Sequence, residues 1–310
     1  MRLKRMFCAL TVLALSACSS TTHTGQTASL GKSVSDTAME QQLDRPGPVE
    51  LETIASADWS VRLSGLVNLD DPQAAALKDR DEPISVFAHV LRHPQFGHFL
   101  VDTGVSSKVM HNPSQYGFNL LLQKVMKLDQ MRIKKSTADI VSSLPGPLAG
   151  VFFTHLHLDH VSGLPDLPDD VPLYVGKGEA SATHYTHAFT QGTTDGMLAG
   201  KGKLQEWAFE PRLQPLASDA FEAVLDVFGD GSVFAISVPG HTAGSTAYLV
   251  RSTRGPVLLV GDTSHTTWGW EHGVEPGTFT NDHQRNRDNL LRLKALVARH
   301  PNMQVRLGHQ

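Results

Sequence analysis

The stretch Thr154-His155-Leu156-His157-Leu158-Asp159-His160 constrains this chain more than any other, because it directly follows the apolar run Val151-Phe152-Phe153. The apolar run reads as a buried strand, and the ligand-rich residues leave its end. In extended geometry His155, His157 and Asp159 alternate onto one side. The turn that follows brings His160 round from another direction. Such a density of imidazole and carboxylate is a start for two adjacent metal sites. A solvated polar turn has no need of it.

Three further candidate ligands stand at expected strand ends beside glycine. His241 follows Val238-Pro239-Gly240, Asp262 follows Leu258-Leu259-Val260-Gly261, and His309 follows Leu307-Gly308. Glycine there lets the backbone turn sharply and lets an ion approach closely. With the cluster, these make seven nitrogen and oxygen ligands and no sulfur. That is enough for two metals sharing a bridge.

Composition narrows the class of protein. The 310 residues suffice for one large domain or two small ones, and a formal charge of −4 offers no basic field for nucleic acid. The two cysteines, Cys8 and Cys18, both precede the globular part, so neither a disulfide framework nor a cysteine metal site is expected in the fold.

The first residues read as an address. Arg2, Lys4 and Arg5 precede the apolar stretch Met6 to Leu15, which is too short for a permanent span. Leu15-Ser16-Ala17-Cys18 resembles the lipobox of bacterial lipoproteins. That resemblance implies cleavage before Cys18 and a lipid on that cysteine, and Ser19 resembles a signal for outer-membrane sorting. An ordinary cleaved secretory peptide is the alternative; either way the chain is exported. Loss of residues 1–17, with three basic and no acidic residues, leaves a charge of −7. Residues 18–48, rich in Ser, Thr, Gln and Gly, read as a flexible tether to a domain over 49–310.

Within that domain strands are expected over 61–69, 84–91 and 98–101, helices over 117–128 and 136–144, and a short strand over 173–175. Asp102 stands at a strand end, where it can hydrogen-bond the loop carrying the histidines. A helix over 179–189 precedes a glycine-rich stretch, 191–203, expected as a mobile loop. His184, Tyr185 and His187 fall on that helix, either lining a pocket or, as the spacing favours, facing solvent. Hairpins are expected over 221–238 and 248–260, an amphipathic helix over 288–299, and a last strand over 305–307. Two strand-rich halves of this kind suggest sheets packed face to face with helices on both outer faces.

The ordered set His155-x-His157-x-Asp159-His160, Gly240-His241, Gly261-Asp262 and Gly308-His309 resembles the metallo-β-lactamase superfamily over about residues 58–310. The resemblance implies an α/β fold, the αββα sandwich of two mixed sheets, with a dinuclear site at one edge. It places His155, His157 and His241 on a first metal, and Asp159, His160 and His309 on a second, with Asp262 as the bridge. Such ligands suit two Zn2+ ions, and also Fe, Mn or Co. Two ions can hold a bridging hydroxide near neutral pH and polarise a carbonyl or phosphoryl oxygen, with Asp159 as proton shuttle.

Asp262 speaks against a true β-lactamase, where Cys or Ser occupies that position. A glyoxalase II would continue into a helical domain beyond the last ligand. Phe228-Gly-Asp-Gly-Ser232, Pro239-Gly-His-Thr242 and Gly261-Asp-Thr-Ser-His265 are most similar to N-acyl homoserine lactone lactonases. Those enzymes carry a substrate-binding Tyr three residues after the bridging Asp. Here that residue is His265, a candidate catalytic donor, and Ser245 replaces a second histidine. Trp268 and Trp270 either wall a substrate pocket or pack in the core. The resulting expectation is a lactone or carboxylic ester substrate. The alternatives are organophosphate or aryl-ester hydrolysis, and a non-catalytic lipoprotein that uses the metal only to hold a binding scaffold.

Overall fold

A computed structural model describes residues 19–210 and 220–310, in which the strands form two sheets. The leader over 1–17 and Cys18 lie outside the described residues. The first sheet has eight strands in the order Gly25–Thr27, Leu204–Glu206, Leu173–Val175, Leu148–Phe152, Gly97–Val101, Asp81–His93, Glu50–Arg62 and Arg132–Ile133. The second has six, in the order Gln304–Arg306, Gly255–Leu259, Thr246–Ser252, Val233–Ser237, Val224–Asp226 and Lys32–Val34. Both mix parallel and antiparallel pairs. This is the expected αββα sandwich.

Strand alternation builds its layers. In Thr246–Ser252, Tyr248 and Val250 enter the core between the sheets, while Ala247 and Leu249 enter the layer beneath the helix His283–Arg299. In Leu148–Phe152 and the residue after it, Phe152 faces the other sheet, while Val151 and Phe153 face the first sheet's outer layer. Strands buried on both faces read as continuous apolar runs, which is how these look in the sequence. Trp207 Nε1 donates to Tyr248 Oη and Tyr248 Oη donates to Phe153 O, each at 2.9 Å, so the buried aromatics between the sheets keep their polar atoms paired.

Several expected elements differ. Residues 19–48 are built into the fold and do not form a flexible tether. Gly25–Thr27 pairs with Leu204–Glu206, Lys32–Val34 pairs with Val224–Asp226, and Met39 and Leu43 are buried. Edge strands are held by backbone hydrogen bonds, so a segment poor in apolar residues can still join a sheet. The strand expected over 61–69 ends at Arg62 and gives way to a short helix, Leu63–Leu66.

The glycine-rich stretch is mostly the helix His187–Leu198. Its glycines serve close packing: a side chain at Gly196 would meet Tyr116 O at 2.6 Å. The helix expected over 117–128 shrinks to Leu120–Val125, and its Leu121 and Val125 are exposed.

Candidate metal centre

The loops that follow Leu148–Phe152, Val233–Ser237, Gly255–Leu259 and Gln304–Arg306 meet at one edge of the sandwich, bringing all seven sequence-predicted ligands together. His155, His157, His241 and Asp262 form one group whose ligand atoms lie within 4.8 Å of one another; Asp159, His160 and His309 form a second. Asp262 Oδ2 is the hub, 3.3 Å from His160 Nε2 and 3.5 Å from Nε2 of His155, His241 and His309. Asp159 Oδ2 lies 3.3 Å from His309 Nε2. Glycine at 308 is required, because a Cβ there would meet Asp262 Oδ1 at 2.1 Å.

A backing partner on the far nitrogen turns each of four rings inward. His160 Nδ1 contacts Asp102 Oδ2 at 2.8 Å, His309 Nδ1 the Ser85 carbonyl at 2.9 Å, His155 Nδ1 the Thr154 hydroxyl at 3.1 Å and His241 Nδ1 the Thr280 hydroxyl at 3.2 Å. Such partners fix ring orientation and raise ligand basicity. His241 Nε2 meets His157 Nδ1 at 3.0 Å, but three other atoms of the site, His155 Nε2, His160 Nε2 and Asp262 Oδ1, are buried and unpaired. Orphaned buried donors and acceptors are costly unless something else satisfies them. A cation does so, and this donor set fits one.

The field of the site points the same way. Burial drives His155 and His241 well below the ordinary histidine range and His157 down to about 4, so all three are neutral ligands at pH 7. Burial also opposes charge on His160, yet Asp262, Asp102 and Asp159 outweigh it and hold that ring well above the range. Burial works against the Asp262 carboxylate too, but His265, His160 and His309 keep it well below the carboxylate range. The net demand is for positive charge at the centre.

Asp102 does what its strand-end position suggested. Its carboxylate accepts from Thr154 N and Thr154 Oγ1 and meets His160 Nδ1, and its φ of 56° lies in the left-handed region. His265 is buried against the hub, its Nε2 2.9 Å from Asp262 Oδ2, yet neither ring nitrogen has hydrogen-bond geometry to any partner. Ser245 accepts from Thr242 N and shapes the His241 loop. Trp268 stacks on His272 and Trp270 packs on the layer beneath His283–Arg299, both partly buried. His187 is buried, whereas Tyr185 is exposed.

Three residues had no signal in the sequence. Glu179 accepts from Leu156 N and Gly244 N, tying together the loops of both sheets. Asn286 accepts from His241 N and donates to Thr263 O, and Thr280 backs His241. Each acts on loops tens of residues away, so no local spacing reveals it.

Residues 82–309 match the family model of the metallo-beta-lactamase superfamily, and the chain belongs to that family. It is a metal-dependent hydrolase of that superfamily. Among its relatives, the N-acyl homoserine lactonase AttM of Azorhizobium caulinodans is 28% identical over 236 residues, 74% of this chain and 83% of AttM. The AttM of Agrobacterium fabrum is 27% identical over the same shares. A solved N-acyl homoserine lactone hydrolase with N-hexanoyl-L-homoserine at its metal centre superposes with a TM-score of 0.59, covering 86% of this chain and 94% of that one. At 18% identity, that likeness concerns the fold.

Proposed function

We propose that this chain is a dinuclear hydrolase that opens a lactone or cleaves a carboxylic ester, with acyl homoserine lactones favoured. The observation that carries this is the pair of ligand groups meeting at one buried carboxylate, Asp262. His155, His157 and His241 would hold one ion, Asp159, His160 and His309 the other, and Asp262 both. When bound, two divalent ions such as Zn2+ acidify a water and polarise the substrate oxygen. The relatives named as N-acyl homoserine lactonases support the lactone as substrate.

The chain's own groups do the rest. Asp159 is the more accessible carboxylate of the site, with 14% of its side chain exposed against 4% for Asp262, and so can take a proton from the attacking water and pass it to the leaving alkoxide. Neither nitrogen of His265 is hydrogen-bonded, which leaves a ring N–H to donate to the substrate carbonyl oxygen, the task of tyrosine in the lactonases. Imidazole at that place favours a second reading, hydrolysis of an aryl ester or organophosphate by the same centre. We also propose that the chain is exported and is held by a lipid on Cys18 in the outer membrane, with its domain facing the periplasm.

A substrate panel of acyl homoserine lactones, aryl esters and phosphate triesters, scored by kcat/KM on metal-quantified protein, separates the readings. Lactone turnover is expected to lead. Triester turnover without any lactone turnover would sink the first reading.

A further inference from the structure

The helix Leu120–Val125 turns its apolar side outward: Leu120, Leu121 and Val125 are 81%, 67% and 68% exposed. Tyr185 and Phe189 are exposed to the same degree, at 66% and 67%. The two segments adjoin. Thr193 Oγ1 donates to Gly117 O at 3.0 Å; Phe189 lies one turn before Thr193 in the helix His187–Leu198, and the helix Leu120–Val125 starts three residues after Gly117. Large apolar side chains gathered on one surface mark an interaction site.

The start of the described chain says what covers it. Ser20 N donates to Ala182 O at 3.0 Å, Ser19 bridges to Thr183, and Gln191 Nε2 donates to Ser19 O at 2.9 Å. Ser19 is thus pinned between the segments flanking Tyr185 and Phe189, and Cys18 is the preceding residue in the sequence. Charge agrees: residues 118–127 and 182–191 contain Lys124 and Lys127 and no acidic residue, and with Lys127 paired to Asp81 at 2.6 Å, Lys124 is the cation this face offers to phosphates. Aromatic rings, apolar side chains and a lysine of this kind suit a bilayer interface. A lipid on Cys18 would therefore emerge at this face, with no tether between anchor and domain.

We propose that the face carrying Leu120, Leu121, Val125, Tyr185 and Phe189 docks on the lipid bilayer beside the acylated Cys18, an inference that rests on the proposed lipid anchor. Docking fixes the orientation of the domain. The helix Leu158–Val161, bearing Asp159 and His160, packs against His187–Leu198, so the docked face adjoins the metal centre. Substrates with acyl chains then reach the site from the membrane as well as from water.

The test uses the full chain matured in Gram-negative cells, with intact mass reporting the lipid. Leader removal takes away Cys8 and acylation consumes the Cys18 thiol, so Leu121→Cys and Phe189→Cys each carry one reactive thiol. Each is labelled with bimane and placed in phosphatidylethanolamine–phosphatidylglycerol vesicles with brominated acyl chains. Leu291→Cys, at a position 48% exposed on the opposite outer layer, is the control. Emission at 121 and 189 is expected to fall about twofold or more, with 291 unchanged. Equal emission at all three sites in the lipidated chain overturns the docking alone. A doubled mass in detergent without quenching gives the face to a second copy and overturns it too. A chain without lipid overturns the anchor and the docking together.

Discussion

Asp102 is the residue on which the second metal group leans. It joins the His160 ring to the backbone of the histidine loop, and it holds a left-handed φ that Asn also tolerates. Asp102→Asn should therefore keep the fold while lowering metal affinity about 10- to 100-fold, read by competition with a chelator of known strength. His89 carries a pH dependence of its own beside that of the buried ligand histidines. Burial lowers it from 6.5 to about 4, against the opposing pull of Asp102. Between those values the unfolded chain binds a proton at this ring that the folded chain refuses. Its contribution to stability therefore falls as pH drops below 6.5 and levels off near 4. His89→Gln, which can keep the bond to Thr53, should remove up to about 3 kcal/mol of that acid loss in urea titrations at pH 4.5 and 7. An unchanged acid loss would show that His89 is not the group responsible. The seven ligands were legible because each sits at a strand end within a few residues of its glycine or of the other histidines. Glu179 and Asn286 were not, because their partners are reached only through the fold.

At the scale of elements, the second outer layer depends on one helix. His283–Arg299 starts at Asp282, whose side chain accepts from Arg285 N, and buries Leu290, Leu293 and Leu296. Leu293→Ala should cost about 2–5 kcal/mol, visible as a lower denaturation midpoint without a change in slope. Leu291→Ala should cost far less, because Leu291 is half exposed. Periodicity found this helix since its apolar stripe matches its buried face. A stripe says that a face is apolar, not what covers it: Leu121 and Val125 face outward. The stretch 191–203 reads as a loop because glycine serves both flexibility and close packing, and only the Tyr116 backbone decides between them. Residues 19–48 escaped for a third reason: edge pairing draws on backbone groups that every residue has.

For the whole molecule, the metal centre is where the two sheets are tied at their edge. His155, His157, Asp159 and His160 come from the first sheet, and His241, Asp262 and His309 from the second. Glu179 adds a metal-free tie between the same loops. Among the described residues no helix is long and apolar enough to cross a membrane. Two ions sharing Asp262 and acting together on a lactone make a stoichiometric prediction. When metal-free protein is titrated with zinc and acyl homoserine lactone opening is followed, activity should rise to a plateau at two ions per chain. A plateau at one ion, or two tightly bound ions with no lactone opened, would rule out the shared centre as the lactone-opening site.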